Sequence, residues 1–411
     1  MRKQEICSAV AAIVWLGSLQ HCSSTETVWT GRRLVDAQER TLRLGGMDAR
    51  RAQMRRANPE WDLMGRTFFA LAIANRVLAE PYPRAEHVYE LDRIASSTLA
   101  ELAEHGDDHF LLGYVHDAAF RDPRAHSLFV DGEVALVLAV RERAWRLYAD
   151  RLADRTARGA AITAAPVPDR DPPGEAAAAR LRTELDLRVA RIAAQMEAGP
   201  MASGESYPNE CWTFCNTLAL AALRVYDVNR GSDHGALLRR WVATARAKLI
   251  DPRTGMLVSS YTYAGRRLDG PEGSTLWMAA HNLLIVDPEF AREQYALAKR
   301  YFARSFAGFG WAREWPDGPH GADIDSGPVF PGFDIGAASS GLAIAAAGTF
   351  GDSEYLEQLA RSVDFAAIRV EDGQRQLHLA AASQVAEAVI AYGYGRGRFW
   401  RTIAAPAGVG R

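Results

Sequence analysis

The chain has 411 residues and a mass of 45.0 kDa, with 48 Lys+Arg against 50 Asp+Glu for a formal net charge of −2. At 48% hydrophobic and 24% charged residues it has the composition of a folded protein, and a chain this long buries enough surface to need no disulfide or metal staple. Near-neutral charge excludes a nucleic-acid binder or a polybasic membrane partner, each of which needs an excess of cations; only Lys3, Lys248 and Lys299 are lysines, and the arginines are scattered along the chain.

Residues 1–22, MRKQEICSAVAAIVWLGSLQHC, join a cationic start (Arg2, Lys3) to an apolar run from Cys7 to Leu19 that is too short to span a bilayer as a helix. That is the shape of an export signal. Its end, Leu19-Gln20-His21-Cys22, resembles a bacterial lipobox, in which the cysteine is lipidated, although His21 departs from the small residue usual before it. The expectation is an exported protein of the cell envelope or periplasm, with membrane attachment through a lipidated Cys22. Next come an N-terminal segment (23–44), a helical body (45–396) and a tail (397–411). Outside the leader only Cys211 and Cys215 remain, spaced i, i+4 on one helix face, where a disulfide closes almost no loop. They read as small buried residues.

In chain order, two kinds of helical segment alternate. The first is rich in Ala, Ser, Gly, Cys and Thr with few charges: Gly65–Leu78, Ser127–Ala139, Trp212–Tyr226, Ser274–Val286, Ala337–Phe350 and Ser383–Tyr392. The second is amphipathic and rich in Arg and Glu: Ala85–Ala103, Ala176–Met196, Gly235–Leu249, Pro288–Ser305 and Ser353–Ala366. A helix apolar nearly all round is buried, and one with a charged face lies at the surface. The starts of the first kind are separated by 62, 85, 62, 63 and 46 residues, and the long gap holds a Pro-rich insertion at 156–175. This pattern predicts an all-α fold, an (α/α)6 toroid or barrel of inner and outer helix pairs. Loops at one end of the inner ring then surround a central cavity. An irregular all-α domain or a helical solenoid is the alternative.

The polar groups gather where loops enter the inner helices. Phe129-Val130-Asp131-Gly132-Glu133 sets two carboxylates two apart, and Glu205–Asn216 packs Tyr207, Asn209, Glu210, Cys211, Trp212, Cys215 and Asn216 into twelve residues. Glu272 precedes Trp277 and His281, and Glu314-Trp315 precedes Asp325. Asp, Asn, Ser and Gly in such places also serve as turn and cap residues, a sufficient reading for Asp287 before Pro288. Aromatic company favours a small-molecule or sugar pocket, in which burial raises the pKa of an acid toward neutrality. His281 reads first as a polar core residue. His105, His109, His116 and His126 surround Gly106-Asp107-Asp108, but their spacings match no zinc signature, so no metal is expected. With no phosphate loop, dinucleotide fingerprint or nucleophile elbow, no cofactor is expected either.

The run Pro208-Asn209-Glu210, Trp212-Thr213-Phe214-Cys215-Asn216 and a helix ending in Tyr226-Asp227 resembles the linalool dehydratase/isomerase family. The resemblance implies an α/α six-fold barrel and cofactor-free dehydration or isomerisation of tertiary allylic terpene alcohols. It places Cys215 at the cysteine of the family's Cys-Asn pair. The family's second cysteine falls near Ser206 and is absent here. Phe129–Glu133 is similar to the family's Met-Tyr-Ser-Gly-His segment, which puts Glu133 where the family has histidine and Phe129 where it has methionine.

Three functions follow. The first is a cofactor-independent acid/base lyase or isomerase acting on a small hydroxylated substrate. Its proton-transfer groups are Asp131 and Glu133, Tyr207, Glu210 and Cys215 are polar partners, and Asp325 is a further acid. Phe129, Asn209, Trp212, Asn216, Glu272, Trp277, His281, Glu314 and Trp315 surround the substrate. The second is a carbohydrate-active α/α-barrel enzyme with paired carboxylates. The third is a non-catalytic exported binding protein.

Overall fold

The computed structural model describes residues 24–82, 84–157, 175–318, 327–330, 332, 334–366, 369–371, 377–379 and 383–404. The leader at 1–22 with Cys22, most of the Pro-rich insertion, Asp325 and the end of the tail lie outside the described residues. Among the described residues the fold is mostly helical, at 70% helix. The helices are α1 (Ser24–Arg43), α2 (Met47–Ala57), α3 (Pro59–Ala79), α4 (Ala85–His105), α5 (Leu128–Ala157), α6 (Glu175–Ala198) and α7 (Thr213–Arg230). They continue with α8 (Gly235–Lys248), α9 (Gly273–Leu283), α10 (Pro288–Phe302), α11 (Ala337–Phe350), α12 (Ser353–Ala366), α13 (Gln384–Tyr394) and α14 (Arg398–Ala404). Strands of two to four residues pair antiparallel in the connections, too short for an alternating pattern to reveal them.

Local chemistry sets the ends of these helices. Asn58 caps α3 by accepting the Glu60 N–H at 2.9 Å, and Pro59 occupies the first turn. Asp287 caps α10 through the Phe290 N–H at 3.0 Å, again with proline behind it. Gly231 and Gly351, at φ 69° and 74°, end α7 and α11 in the left-handed conformation that glycine takes without strain.

Packing separates the two kinds of helix. Helix α3 packs on α5, α5 on α7, α7 on α9, α9 on α11, α11 on α13, and α13 returns to α3. The amphipathic helices lie outside this cycle: α4 against α3 and α5, α6 against α5 and α7, α10 against α9, α12 against α11, and α1 against α13. Burial follows this division. Ala343 to Ala347 of α11 are all buried, whereas α12 buries only Tyr355, Leu356, Leu359 and Ala360.

Small residues let the cycle close. A Cβ on Gly393 of α13 would lie 2.5 Å from the Ile344 carbonyl oxygen of α11, and one on Gly348 would meet the Gly393 backbone. A Cβ on Gly132 of α5 would come closest to the Leu218 Cδ2 methyl, at 3.2 Å, with Ala219 at ordinary contact distance. Backbone cannot yield as a side-chain end can. Gly393→Ala is therefore expected to lower stability by about 1–3 kcal/mol despite the better helix propensity of alanine, as read by denaturant unfolding. Gly132→Ala, in the same experiment, should fall within about 1 kcal/mol of the parent.

Candidate active site

A cavity of about 110 Å³ lies at the N-terminal ends of the helices of this cycle. The first turns of α3 contribute Glu60, Trp61 and Met64, and α5 contributes Phe129. Tyr207, Trp212, Phe214 and Cys215 come from the loop that enters α7. Across from them stand Glu272, Ser274 and Thr275 at the start of α9, and Ala338 and Leu342 of α11. Tyr114, from the short 3-10 turn Gly113–His116, covers one side. Five helices thus bring their N-terminal turns, with the partial positive charge of a helix start, around one space, an environment suited to oxygen atoms. The walls are aromatic and the polar groups few, as in a small-molecule pocket.

The polar centre is a hydrogen-bonded pair. The Tyr207 hydroxyl donates to Glu60 Oε1 at 2.5 Å and accepts the Leu112 N–H at 3.1 Å. The Tyr114 ring stacks on it, with centroids 4.3 Å apart. Burial, reinforced by the Glu60 carboxylate, pushes the Tyr207 phenol well above its ordinary range, so it stays protonated. Burial likewise pushes the Cys215 thiol up, with the Ser206 hydroxyl beside it.

One turn deeper lies the most perturbed acid. Glu133 follows Phe129 by four residues on α5, which places it on the same face, beneath the wall. Its Oε2 accepts a short hydrogen bond from the Thr67 hydroxyl of α3, and its buried Oε1 has no hydrogen-bond partner among the described residues. Burial raises its pKa to about 8, with a further push from the charge of Glu60. A carboxyl group in this state is a proton donor at neutral pH.

Other expected site residues fall elsewhere. Asp131 is two residues from Glu133, so the helix turns it to the opposite face, where it meets Arg188 of α6 at 2.6 Å. Glu210 is half-buried at the rim and accepts from the Tyr114 hydroxyl at 3.3 Å. Asn209 supports the turn, at φ 59°, with its N–H on the buried Glu205 carboxylate at 2.6 Å. Asn216 holds the same loop, bridging the Gly204 N–H and carbonyl at 3.0 and 3.1 Å. Trp277 points into the core, donating to Ser339 Oγ at 3.2 Å and packing on Tyr295 and Tyr355.

His281 sits two turns along α9 from the cavity. It is fully buried, stacked on Trp400 and 2.6 Å from the Tyr392 hydroxyl, and burial lowers its pKa to about 4, so the ring is neutral. Glu314 stands behind the wall, accepting from the Ser274 N–H at 3.0 Å and its hydroxyl at 2.6 Å. Trp315 is half-buried beside it.

The sequence reading passed over Glu60, Trp61, Met64 and Tyr114. A signal for the first three was present: Asn58-Pro59 starts a helix, and the cavity acids elsewhere sit at helix starts. Gly65 opens the small-residue run one to two turns late. Tyr114 lies in a turn with no periodic mark.

Residues 186–382 match the family model described as linalool dehydratase/isomerase. That span, a little under half of the chain, includes Tyr207, Trp212, Cys215 and Glu272; Glu60, Phe129 and Glu133 precede it.

Two variants separate these roles. An acid whose folded pKa is raised loses stability for the protein as pH climbs from its ordinary value of 4.5 to about 8, where the loss levels off. Glu133→Gln should therefore unfold less readily than the parent at pH 9 by roughly a few kcal/mol, with the difference vanishing at acid pH, as measured by denaturant titration across pH. Asp131→Asn should lose about 1–3 kcal/mol at neutral pH, less than for a fully stranded buried charge, because Arg188 keeps Glu184 at 2.7 Å and Asp107 at 3.4 Å.

Proposed function

For this member of the linalool dehydratase/isomerase superfamily, we propose acid/base catalysis on a small hydroxylated organic substrate, as a lyase or isomerase, inside an (α/α)6 barrel. The cyclic contacts of α3, α5, α7, α9, α11 and α13 support the barrel. A buried, neutral Glu133 beneath an aromatic cavity that also holds the Tyr207–Glu60 pair supports the chemistry. Export through residues 1–22, with lipidation at Cys22, belongs to the same proposal and rests on the leader sequence alone. Among the described residues no helix is long and apolar enough to cross a membrane.

In this reading Glu133 gives its proton to the substrate hydroxyl, the C–O bond breaks and water leaves. In dehydration Glu60 takes a proton from the neighbouring carbon, whose C–H pair becomes the new double bond; in isomerisation the C–H stays, and water adds at the other end of the allylic cation while Glu60 takes one of its protons. One proton is given and one recovered, so the residues are regenerated once a proton passes from Glu60 back to Glu133. Trp61, Phe129, Trp212 and Phe214 exclude water and present ring faces to positive charge building on carbon. Tyr207 holds Glu60 in place through its 2.5 Å bond, and the Cys215 thiol borders the reacting oxygen.

The test is a panel of small tertiary and allylic alcohols, linalool among them, scored for alkene product and for exchange of the substrate hydroxyl with ¹⁸O-water. The expected result is turnover that falls as pH rises past about 8, where Glu133 loses its proton. Glu133→Gln and Glu60→Gln should each reduce kcat by about 10²–10⁴ with the fold intact. Full turnover in Glu133→Gln would remove it from the role. Glu60 and Glu272 enter the cavity from α3 and α9, opposite members of the cycle, an arrangement that a carbohydrate-active enzyme also requires. Release of sugar from a glycan panel, with no change in any alcohol, would establish that reading instead.

A further inference from the structure

A second cluster of chemically active side chains lies away from the cavity, at the end of α4. Glu101 and His105 are one turn apart on that helix. The helix stops at Gly106, whose φ of 79° reverses the chain into the 3-10 turn Asp107–Phe110. That reversal folds His109 back over His105, so that their rings stack with centroids 4.5 Å apart at 22°. The result is Glu101-x₃-His105-x₃-His109, a spacing that histidines considered alone do not display.

We propose that Glu101, His105 and His109 form a binding site for a divalent transition-metal ion of the zinc type. One ligand atom from each residue lies within 4.8 Å of the other two. His109 Nε2 is 3.0 Å and His105 Nε2 3.9 Å from the same oxygen, Glu101 Oε2. Tetrahedral zinc with bonds of about 2.0–2.1 Å wants ligand atoms roughly 3.3 Å apart, which small rotations of these side chains supply. Two imidazoles and one carboxylate are a donor set that zinc accepts, leaving a fourth position for water or for Glu104, whose Oε1 is 3.7 Å from His105 Nε2.

Two further observations favour a metal over a plain ion pair. His109 Nε2 is buried and among the described residues has no hydrogen-bond partner, although a carboxylate oxygen stands at hydrogen-bond distance. The other Glu101 oxygen is held from behind, 3.6 Å from Arg66 Nη2 and 3.8 Å from Arg55 Nη1. A carboxylate anchored on one oxygen and open on the other is an oriented single-point ligand.

Occupancy has a structural consequence. Three residues after His109, the Leu112 N–H donates to the Tyr207 hydroxyl, and two residues later Tyr114 stacks on the same ring. A metal that ties His109 to α4 therefore braces the segment forming one wall of the cavity. Binding itself does not depend on the chemistry proposed for that cavity.

The experiment uses tag-free, chelator-treated protein dialysed against ZnCl₂, with bound zinc counted by elemental analysis. About one equivalent per chain is expected, and His105→Ala and His109→Ala should each weaken binding at least about tenfold while the circular dichroism spectrum is unchanged. Should either variant unfold, Co²⁺ on the parent protein decides. Visible bands of a four-coordinate nitrogen and oxygen site support the proposal; a strong near-ultraviolet thiolate band would assign the ion to Cys211 and Cys215 and overturn it. No retained zinc, or zinc indifferent to both substitutions in folded protein, overturns it as well.

Discussion

Close approach of helix backbones governs this molecule. Where α11 and α13 meet, Gly348 and Gly393 lie so near the facing chain that there is no room for a Cβ. Gly65 of α3 meets α13 less tightly, with the Gln384 side-chain oxygen as its nearest neighbour and the Val385 backbone at ordinary contact distance. Where two inner helices approach this closely, the contact needs side chains this small, and the cycle they close sets five helix starts around one space. Wider residues would push the helices apart, and the residues at their first turns would no longer converge. The cavity is thus a product of what the inner helices lack.

That same closure explains the chemistry available at the centre. A carboxyl group carried on an inner face is removed from solvent, and among the described residues only Thr67 offers Glu133 a hydrogen bond. The group responds by holding its proton. Asp131, on the same helix two residues earlier, faces outward and meets Arg188. Two acids nearly adjacent in sequence therefore differ in role because a helix sends them to different surroundings. Glu205, buried as well, is tied up differently: it accepts the N–H groups of Arg121, Asp122 and Asn209 and shapes the loop that delivers Tyr207.

Much of this organisation could be read from the sequence. Ala- and Ser-rich runs without charge mark inner helices, and Arg/Glu-rich runs mark outer ones, because composition around a helix reports what surrounds it. Each of the six small-residue segments falls on one of α3, α5, α7, α9, α11 and α13, with ends within a few residues except at the start of α3 and at the end of α5, which runs on past Ala139 to Ala157. In the latter, charged Glu60, Asp62 and Arg66 surround the first turns, so the compositional signal begins after the cavity residues have passed. Side-chain direction was less legible. Nothing in the Asp131-Gly132-Glu133 string says which acid faces inward until the helix phase is known, and Trp277 and His281 are core residues whose polar atoms are met by Ser339 and Tyr392. Tyr114 reaches the cavity through tertiary packing of an irregular segment, which leaves no periodic trace.

Tyr207 shows how the two halves of the chain become one site. The family match begins at residue 186, so it contains Tyr207 and Cys215 but neither Glu60 nor Glu133. Through one hydroxyl Tyr207 joins Glu60 of α3 to the Leu112 backbone, and its ring carries Tyr114. The matched region therefore supplies a phenol and a thiol, both held protonated by burial. The preceding region supplies Glu60, bonded to that phenol, and Glu133, buried below. Both carboxyl groups of the proposed proton transfer thus lie outside the match, while the matched region supplies the phenol that holds one of them in place. The unit of function is consequently the closed cycle, since only closure brings α3 and α5 against the loop that enters α7.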